Sequence, residues 1–194
     1  MKNLSLVIIS IMLCFAISCK ENKKEAETES EMNMEEMAPE QTNETKEVVV
    51  KMEPKSDSNV SGNVFFKEAN GLVTVTMVVN GLTEGTHAIH IHEKADCSAA
   101  DGTSSGGHWN PTAQPHGKWG SPEGYHKGDI GNMEVGADGK GTMTMSTNEW
   151  CIDCGDPNKD VLGKAIIMHD GTDDFVTQPT GNAGGRVSCG GIIQ

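Results

Sequence analysis

The chain has 194 residues, 23 glycines, 4% aromatic residues and a formal net charge of −13. This length fits one small domain with appendages and leaves room for a single hydrophobic core. The acidic balance excludes the basic surface that nucleic-acid binding needs, so no nucleic-acid partner is expected. Valine, methionine and threonine in short alternating runs, together with the glycines, favour a β-rich domain.

Residues 1–18 have the layout of a secretory signal. Lys2 precedes an apolar run from Leu4 to Ile17 that is too short to span a bilayer comfortably. The closing AISC resembles a bacterial lipoprotein signal, in which Cys19 is acylated and becomes the first mature residue. The alternative is an ordinary cleaved signal with Cys19 incidental; in either case Cys14 is discarded. We expect an envelope protein with a lipid anchor at Cys19, facing the periplasm or the cell exterior.

Residues 19–44 are predicted to be an acidic flexible tether. From residue 20 to residue 44 there are nine glutamates, three lysines and no aromatic residue, a net charge of −6. Such a segment buries too little apolar surface to order itself. A helix is the alternative, since glutamate, lysine and methionine are helix formers, but no continuous apolar stripe supports it.

Residues 45–194 are predicted to form an all-β domain. The tripeptide ANG at 69–71 indicates a hairpin between the second and third strands. Eight short antiparallel strands imply a Greek-key sandwich or flattened barrel. Residues 94–127 show no strand pattern, and because structureless loops of that length are uncommon, a functional or pinned loop is expected. The predicted strands are 48–50, 60–66, 72–79, 88–93, 130–135, 141–147, 164–168 and 187–193.

Seven histidines supply the chemistry of the chain. His90 and His92 lie two apart on a predicted strand, so both imidazoles lie on one face of it. Neutral imidazole suits copper and zinc, and three histidines with one carboxylate make a tetrahedral zinc set. The further candidate ligands are His108, His116, His126, Asp129 and His169.

After export, Cys97, Cys151, Cys154 and Cys189 remain in an oxidising compartment, where three disulfide connectivities are available. The spacing of Cys151 and Cys154 is also that of a zinc half-site or a redox pair. Because the chain has no second pair with matching spacing, we favour a local Cys151–Cys154 disulfide, with Cys97 joined to Cys189.

Four segments together resemble the signatures of the copper/zinc superoxide dismutase family, in its bacterial, lipoprotein-type branch. A lone His-x-His is a weak signal, but the joint pattern is highly specific and covers about residues 45–194. The segments are residues 81–93 (GLTEGTHAIHIHE), 107–111 (GHWNP), 126–132 (HKGDIGN) and 181–191 (GNAGGRVSCGG).

The resemblance implies a copper ion and a zinc ion bridged by the deprotonated ring of His108. The copper ligands would be His90, His92, His108 and His169. The zinc ligands would be His108, His116, His126 and Asp129.

The resemblance also gives roles to residues that bind no metal. Arg186 matches the arginine beside the copper that receives the anion. Asp173 matches the carboxylate that links a copper-bound and a zinc-bound histidine, here His90 and His116. His87 matches a histidine that packs and hydrogen-bonds instead of binding metal.

The implied activity is dismutation of superoxide to dioxygen and hydrogen peroxide by alternate reduction and reoxidation of copper, with zinc structuring the site. On this scheme His108 takes up a proton on its copper side, and Arg186 supplies fixed positive charge for the anion. The protein would protect the cell envelope from superoxide. A copper-delivery protein on the same scaffold would lose Arg186 or part of the zinc set, and a purely structural sandwich would need none of these ligands.

Cys97 and Cys189 match the disulfide of the family, whereas Cys151 and Cys154 have no counterpart in its pattern. Residues 170–185 are shorter than in animal-type members and contain no lysine. Residues 107–111 resemble the bacterial branch, whose subunit contacts differ from the animal branch. The resemblance therefore does not carry over an oligomeric state, and a homodimer stays open.

Electrostatic guidance of superoxide is expected to be local. From residue 45 onward the chain has 11 Lys and Arg against 19 Asp and Glu, a net charge of −8, so the global field opposes an anion. Attraction is left to the copper and to Arg186, with Lys94, Lys118 and Lys127 as candidate helpers.

Overall fold

The computed structural model describes residues 44–194, and eight antiparallel strands form the frame of this part of the chain. A short 3-10 turn, Thr103–Ser105, lies between the fourth and fifth strands. No helix in this part of the chain is long and apolar enough to cross a membrane. The strands are β1 (Lys46–Pro54), β2 (Ser61–Ala69), β3 (Leu72–Asn80), β4 (Gly85–His92), β5 (Asp129–Val135), β6 (Lys140–Thr147), β7 (Ala165–His169) and β8 (Arg186–Gly191).

The strands close into a barrel in the order β1-β2-β3-β6-β5-β4-β7-β8. Tight hairpins join neighbours such as β2 and β3, where Asn70 and Gly71 have positive φ and Ala69 pairs with Leu72. The short connection 81–84 carries β3 to β4 and the longer connection 148–164 carries β6 to β7 across the barrel, which is a Greek-key path. Pairing of Glu53 with Cys189 between β1 and β8 completes the closure. The predicted fold of eight antiparallel strands is confirmed.

The core follows the alternation of apolar residues along the strands. In β3, Val73, Val75, Met77 and Val79 are buried, whereas the residues between them are partly or fully exposed. Side chains of successive strand residues point to opposite faces, so this pattern puts one face of β3 inside the barrel.

Strand β4 breaks this alternation because both of its faces are covered. Ile89 and Ile91 lie in the main core, while His90 and His92 point the other way and are equally buried. The cover comes from the long connection between β4 and β5: His92 forms an isolated bridge with His108, and Trp109 N donates to Ile91 O at 2.8 Å. The expected pinning of this loop is thus present.

Two disulfides tie loops to the barrel. Cys97, in the β4–β5 connection, is bonded to Cys189 of β8, at a sequence separation of 92. Cys151 and Cys154 are bonded within the β6–β7 connection. These are the favoured pairs. The predicted signal of residues 1–18, the acylated Cys19 and the tether up to residue 43 lie outside the described residues.

Candidate metal centre

Four histidines on the outer face of the barrel form the first candidate ligand group. His90 and His92 come from β4, His169 ends β7, and His108 enters from the loop. One ring nitrogen from each lies within 4.8 Å of the corresponding nitrogens of the others. The ring centroids of His90 and His108 are only 3.9 Å apart.

A second group shares His108 with the first. It adds His116 and His126 from the loop and Asp129 from the start of β5, and its candidate ligand atoms also lie within 4.8 Å of one another. Asp129 is at its centre: its oxygens lie 2.9 Å from His108 Nδ1, 3.0 Å from His116 Nδ1 and 3.2 Å from His126 Nδ1. The structure therefore brings both predicted ligand sets together.

Unpaired buried nitrogens test whether these groups fit metal ions. Burying a polar atom without a partner is costly, so native proteins rarely do it without a reason. Six buried ring nitrogens make no well-directed hydrogen bond within residues 44–194, and all belong to the two groups. They are His90 Nδ1, His92 Nε2, His108 Nε2, His169 Nε2, His116 Nδ1 and His126 Nδ1. Two of them, His116 Nδ1 and His126 Nδ1, lie close to Asp129, and the other four have no such neighbour.

In five of these six rings the opposite nitrogen is held by a protein acceptor, the exception being His126. Asp173, whose side chain is fully buried, accepts from His90 Nε2 at 2.8 Å and from His116 Nε2 at 2.9 Å, one oxygen for each. His92 Nδ1 donates to Gly106 O at 2.9 Å. Each of these contacts fixes the ring and leaves its free nitrogen pointing into a group, which is how proteins orient metal-binding histidines. The link expected of Asp173 is present.

His87 has a different environment. Its Nδ1 lies 3.0 Å from His169 O and its Nε2 lies 3.0 Å from Thr83 O, so neither nitrogen is left for a metal ion. The ring supports the strand end that carries His169. Its expected structural role agrees with this geometry.

Three histidines of the first group, His92, His108 and His169, are neutral at neutral pH. Burial lowers the pKa of His92 to about 2, that of His108 to about 4 and that of His169 to about 3. The charge of Arg186 contributes to the lowering for His92 and His169. Neutral imidazole is the form that binds metal, so this group is prepared for a soft or borderline cation.

The second group has a more anionic character. Burial opposes a charge on His116, but contacts with Asp129 and Asp173 outweigh burial and raise its pKa to about 9. Burial alone would raise the pKa of the two carboxyl groups, but contacts with histidines hold both pKa values well below their usual range. A metal ion bound here would replace the proton of His116 between two carboxylates.

Arg186 lies directly beside the first group. It is the first residue of β8 and pairs with His169 across β7 and β8, next to a register shift between Met168 and His169. Its Nη1 donates to Gly102 O at 2.9 Å and to Ser105 Oγ at 3.0 Å. A permanent positive charge is thus held beside the end of β7 that carries His169.

Of the lysines expected to help attract an anion, one is engaged elsewhere. Lys127 forms an ion pair with Glu149, which neutralises it locally. Lys94 and Lys118 form no ion pair within residues 44–194. Lys127 is therefore a weaker candidate than Lys94 and Lys118, because the loop turns its ammonium group towards the β6–β7 connection.

Sequence reasoning missed the residues that hold the second group in place. Gln178 forms two hydrogen bonds with the main chain of His116, accepting from N and donating to O, both at 2.8 Å. Asn132 forms a similar pair with the main chain of Asp173, both bonds at 2.9 Å. Asn132 lies in the HKGDIGN segment, which was a usable signal, whereas no pattern in the sequence marks Gln178.

Comparisons with known proteins agree with this geometry. A family model described as copper/zinc superoxide dismutase matches residues 60–192. A curated relative, "Superoxide dismutase [Cu-Zn] 2" of Brassica juncea, is 38% identical over 144 residues, which covers 70% of this chain and 90% of the relative.

Solved structures of a "SOD-like protein" from Bacillus subtilis share the fold. One, a double mutant in which a tyrosine and a proline are replaced by histidine, has a TM-score of 0.67 and 35% identity and covers 75% of this chain and 97% of that chain. Another crystal structure of the SOD-like protein has a TM-score of 0.66 and 33% identity over the same shares.

The predicted family is confirmed by these matches, and the family brings copper and zinc as its cofactors. Both ligand groups required for two ions are present in residues 44–194. The chain belongs to the copper/zinc superoxide dismutase family of enzymes.

Proposed function

We propose that this protein dismutates superoxide at the first ligand group, with copper held by its four histidines and zinc held by the second group. The observation that carries the proposal is the set of six buried, unpaired ring nitrogens divided between two groups that share His108. Copper supplies two accessible oxidation states for exchanging electrons with superoxide, and zinc, which has only one, supplies fixed charge and geometry.

Arg186 receives the anion. Its guanidinium keeps a positive charge at any pH relevant to the protein, and its place opposite His169 puts that charge beside the first group. Because His92, His108 and His169 are neutral, Arg186 supplies the positive charge on this side of the first group for an incoming superoxide. Preorganised charge of this kind does not need to rearrange during the reaction.

His108 is positioned to hold and release a proton. Its Nδ1 lies 2.9 Å from Asp129, while its Nε2 faces the first group without a partner. A proton taken up at Nε2 lies next to the anion site and can be passed to the reduced substrate. Each turnover consumes two superoxide ions and two protons and yields one dioxygen and one hydrogen peroxide.

The proposal is tested by reconstituting the metal-free protein with copper plus zinc, or with zinc alone. We expect rapid superoxide removal only from the protein that holds both ions. Equal removal by the two preparations would exclude copper-dependent dismutation.

A metal-binding protein without catalysis is the second candidate, and the solved relatives described only as SOD-like make it worth testing. Such a protein could keep its ligands and lack a working anion site. Here Arg186 stands beside the first group with two hydrogen bonds in place, which favours the enzyme. Tight copper binding with no dismutation would favour the metal-binding protein.

The location of the domain belongs to the proposal as well. We infer that residues 1–18 direct export, that Cys19 carries lipid, and that the domain protects the cell envelope. Acyl chains contribute about 0.8 kcal/mol per buried methylene, so the anchored protein should stay with membranes. Cys19→Ala should release the protein to the soluble fraction; a variant that still fractionates with membranes would contradict the anchor.

Protease treatment of intact cells would show which side of the membrane the domain faces, and sedimentation would show whether the protein forms a homodimer.

A further inference from the structure

Arg186 is held by a small hydrogen-bonded triangle. Its Nη1 donates to Gly102 O at 2.9 Å and to Ser105 Oγ at 3.0 Å. Ser105 Oγ in turn donates to Gly102 O at 2.9 Å. Gly102 immediately precedes the 3-10 turn between β4 and β5, and Ser105 is the last residue of that turn and is completely buried.

The direction of the hydrogen bonds follows from the number of protons available. A serine hydroxyl has one proton, and that proton is committed to Gly102 O, so its lone pairs face Arg186. The Nη1 group has two N–H donors, and the two acceptors of the triangle use both. Within residues 44–194, Nη2 and Nε make no hydrogen bond, so their edge of the guanidinium is available to an anion.

We propose that Ser105 is a positioning residue for the anion site: its hydroxyl anchors one amino group of Arg186 so that the other edge of the guanidinium meets the substrate in a fixed orientation. This inference rests on the proposed function, because it concerns the same anion. A guanidinium held at one point by Gly102 O alone could rotate about that bond, whereas two acceptors define its plane. Preorganisation of this kind increases affinity by reducing the ordering needed on binding.

The competing explanation is that Ser105 only shapes the turn. Its neighbour Ser104 provides a matched control. The Ser104 hydroxyl also stabilises this loop, since it donates to Asp96 O at 2.9 Å and accepts from Ala99 N at 3.1 Å, but it does not contact Arg186. A general loosening of the loop should therefore follow from Ser104→Ala as much as from Ser105→Ala.

Two measurements on the full-length protein need no catalytic turnover. Azide binding to the copper- and zinc-loaded protein, followed by its absorption change, should weaken about three- to tenfold in Ser105→Ala, the effect of losing one hydrogen bond of typical net strength. Arg186 is the only arginine in the chain, so phenylglyoxal modification of the metal-free protein reports on this residue alone. Modification should be several-fold faster in Ser105→Ala and unchanged in Ser104→Ala.

A double-mutant cycle tests whether Ser105 acts through Arg186. On an Arg186→Lys background, Ser105→Ala should cause no further loss of azide affinity, because effects of groups in one network are not additive. Should Ser105→Ala fail to fold, Ser105→Cys keeps a side chain of similar size with a weaker hydrogen bond and should show the same changes at smaller amplitude.

Wild-type azide affinity in Ser105→Ala, or an equal loss in Ser104→Ala, would overturn the inference. So would an undiminished loss on the Arg186→Lys background. These outcomes are separate from the proposed function, whose failure would be seen as absent dismutation by the wild-type protein loaded with both ions.

Discussion

The two ligand groups share His108 but are built from different parts of the fold. Three of the four histidines in the first group stand on β4 and β7, which are hydrogen-bonded strands of the barrel. They are His90, His92 and His169. In the second group only Asp129 belongs to a strand, and His116 and His126 stand on the loop. A sheet can position the first group by itself, whereas the second depends on contacts that hold the loop.

Those contacts come from the connection between β7 and β8. Asp173 accepts from the His116 ring, and Gln178 pairs with the His116 main chain. Gly181 lies so close that a Cβ atom there would come within 2.5 Å of His116 Nε2. The second group is thus clamped from outside the sheet, whereas the first group receives from the same connection only the contact of Asp173 with His90.

Removing the Cys97–Cys189 disulfide should have the largest effect. Its cysteines are 92 residues apart, and the chain-entropy model assigns such a loop roughly 4 to 5 kcal/mol of stability. The double variant Cys97→Ser with Cys189→Ser should lose about this much in urea unfolding. Arg186 lies three residues from Cys189 and contacts the β4–β5 connection, which contains Cys97. Azide affinity should therefore fall as well.

The second disulfide serves as the control. Cys151 and Cys154 close a loop of only a few residues, so the corresponding double serine variant should lose no more than about 2 kcal/mol and keep its azide affinity. Equal destabilisation by the two variants would contradict the entropic account.

Asp173→Asn should weaken metal binding about 10- to 100-fold, the usual cost of removing a partner that orients metal-binding histidines. It keeps the size of the side chain but removes the charge shared by His90 and His116. Zinc should leave first under chelator challenge, because His90 is still fixed by its place on β4, whereas His116 stands on a loop. The adjacent Asp174→Asn should retain both ions, as the Asp174 side chain is exposed and accepts only from residues 176 and 177. Unchanged metal content in Asp173→Asn would refute this role.

Gln178→Ala should have a smaller effect, confined to zinc. It removes two hydrogen bonds to the His116 main chain, and we expect zinc release about two- to tenfold faster, as for a net loss of about one hydrogen bond. Copper release should not change. The matched control is Gln114→Ala, which changes an exposed glutamine on the loop that carries His116. Copper loss before zinc loss in Gln178→Ala would show that Gln178 does not hold the second group.

Ionic strength should have the smallest effect. The domain is acidic, and Arg186 and the unpaired Lys94 and Lys118 are the nearby cations of the ligand loop and β8. Salt screens distant repulsive charges more than near attractive ones, given a Debye length of about 8 Å at physiological salt. We expect the second-order rate constant, measured by pulse radiolysis, to change little from low to moderate salt. A several-fold fall would reveal a steering lysine at the entrance.

Sequence periodicity was enough to predict the strand-built part of the site. His90 and His92 alternate with Ile89 and Ile91, and a strand that buries the isoleucines must turn both histidines to the opposite face. The resemblance to a known family then supplied the partners that spacing could not, above all Asp173, which is 83 residues from His90.

Contacts that depend on the path of the loop were not predictable from the residues. Gly106 O and the main chain of His116 are acceptors and donors that every residue type offers, so no letter in the sequence marks them. The ion pair of Lys127 was not predictable for the same reason, since its pairing with Glu149 depends on how two separate loops meet. Ser105 and Gln178 gained their roles only from such three-dimensional neighbours.

The central claim is that this chain holds copper and zinc in two different groups joined by His108. Anomalous diffraction from crystals of the reconstituted protein, collected at the absorption edges of both elements, tests it directly. We predict a copper peak among His90, His92, His108 and His169, and a zinc peak beside Asp129. A single peak, or one element distributed equally over both positions, would contradict the account.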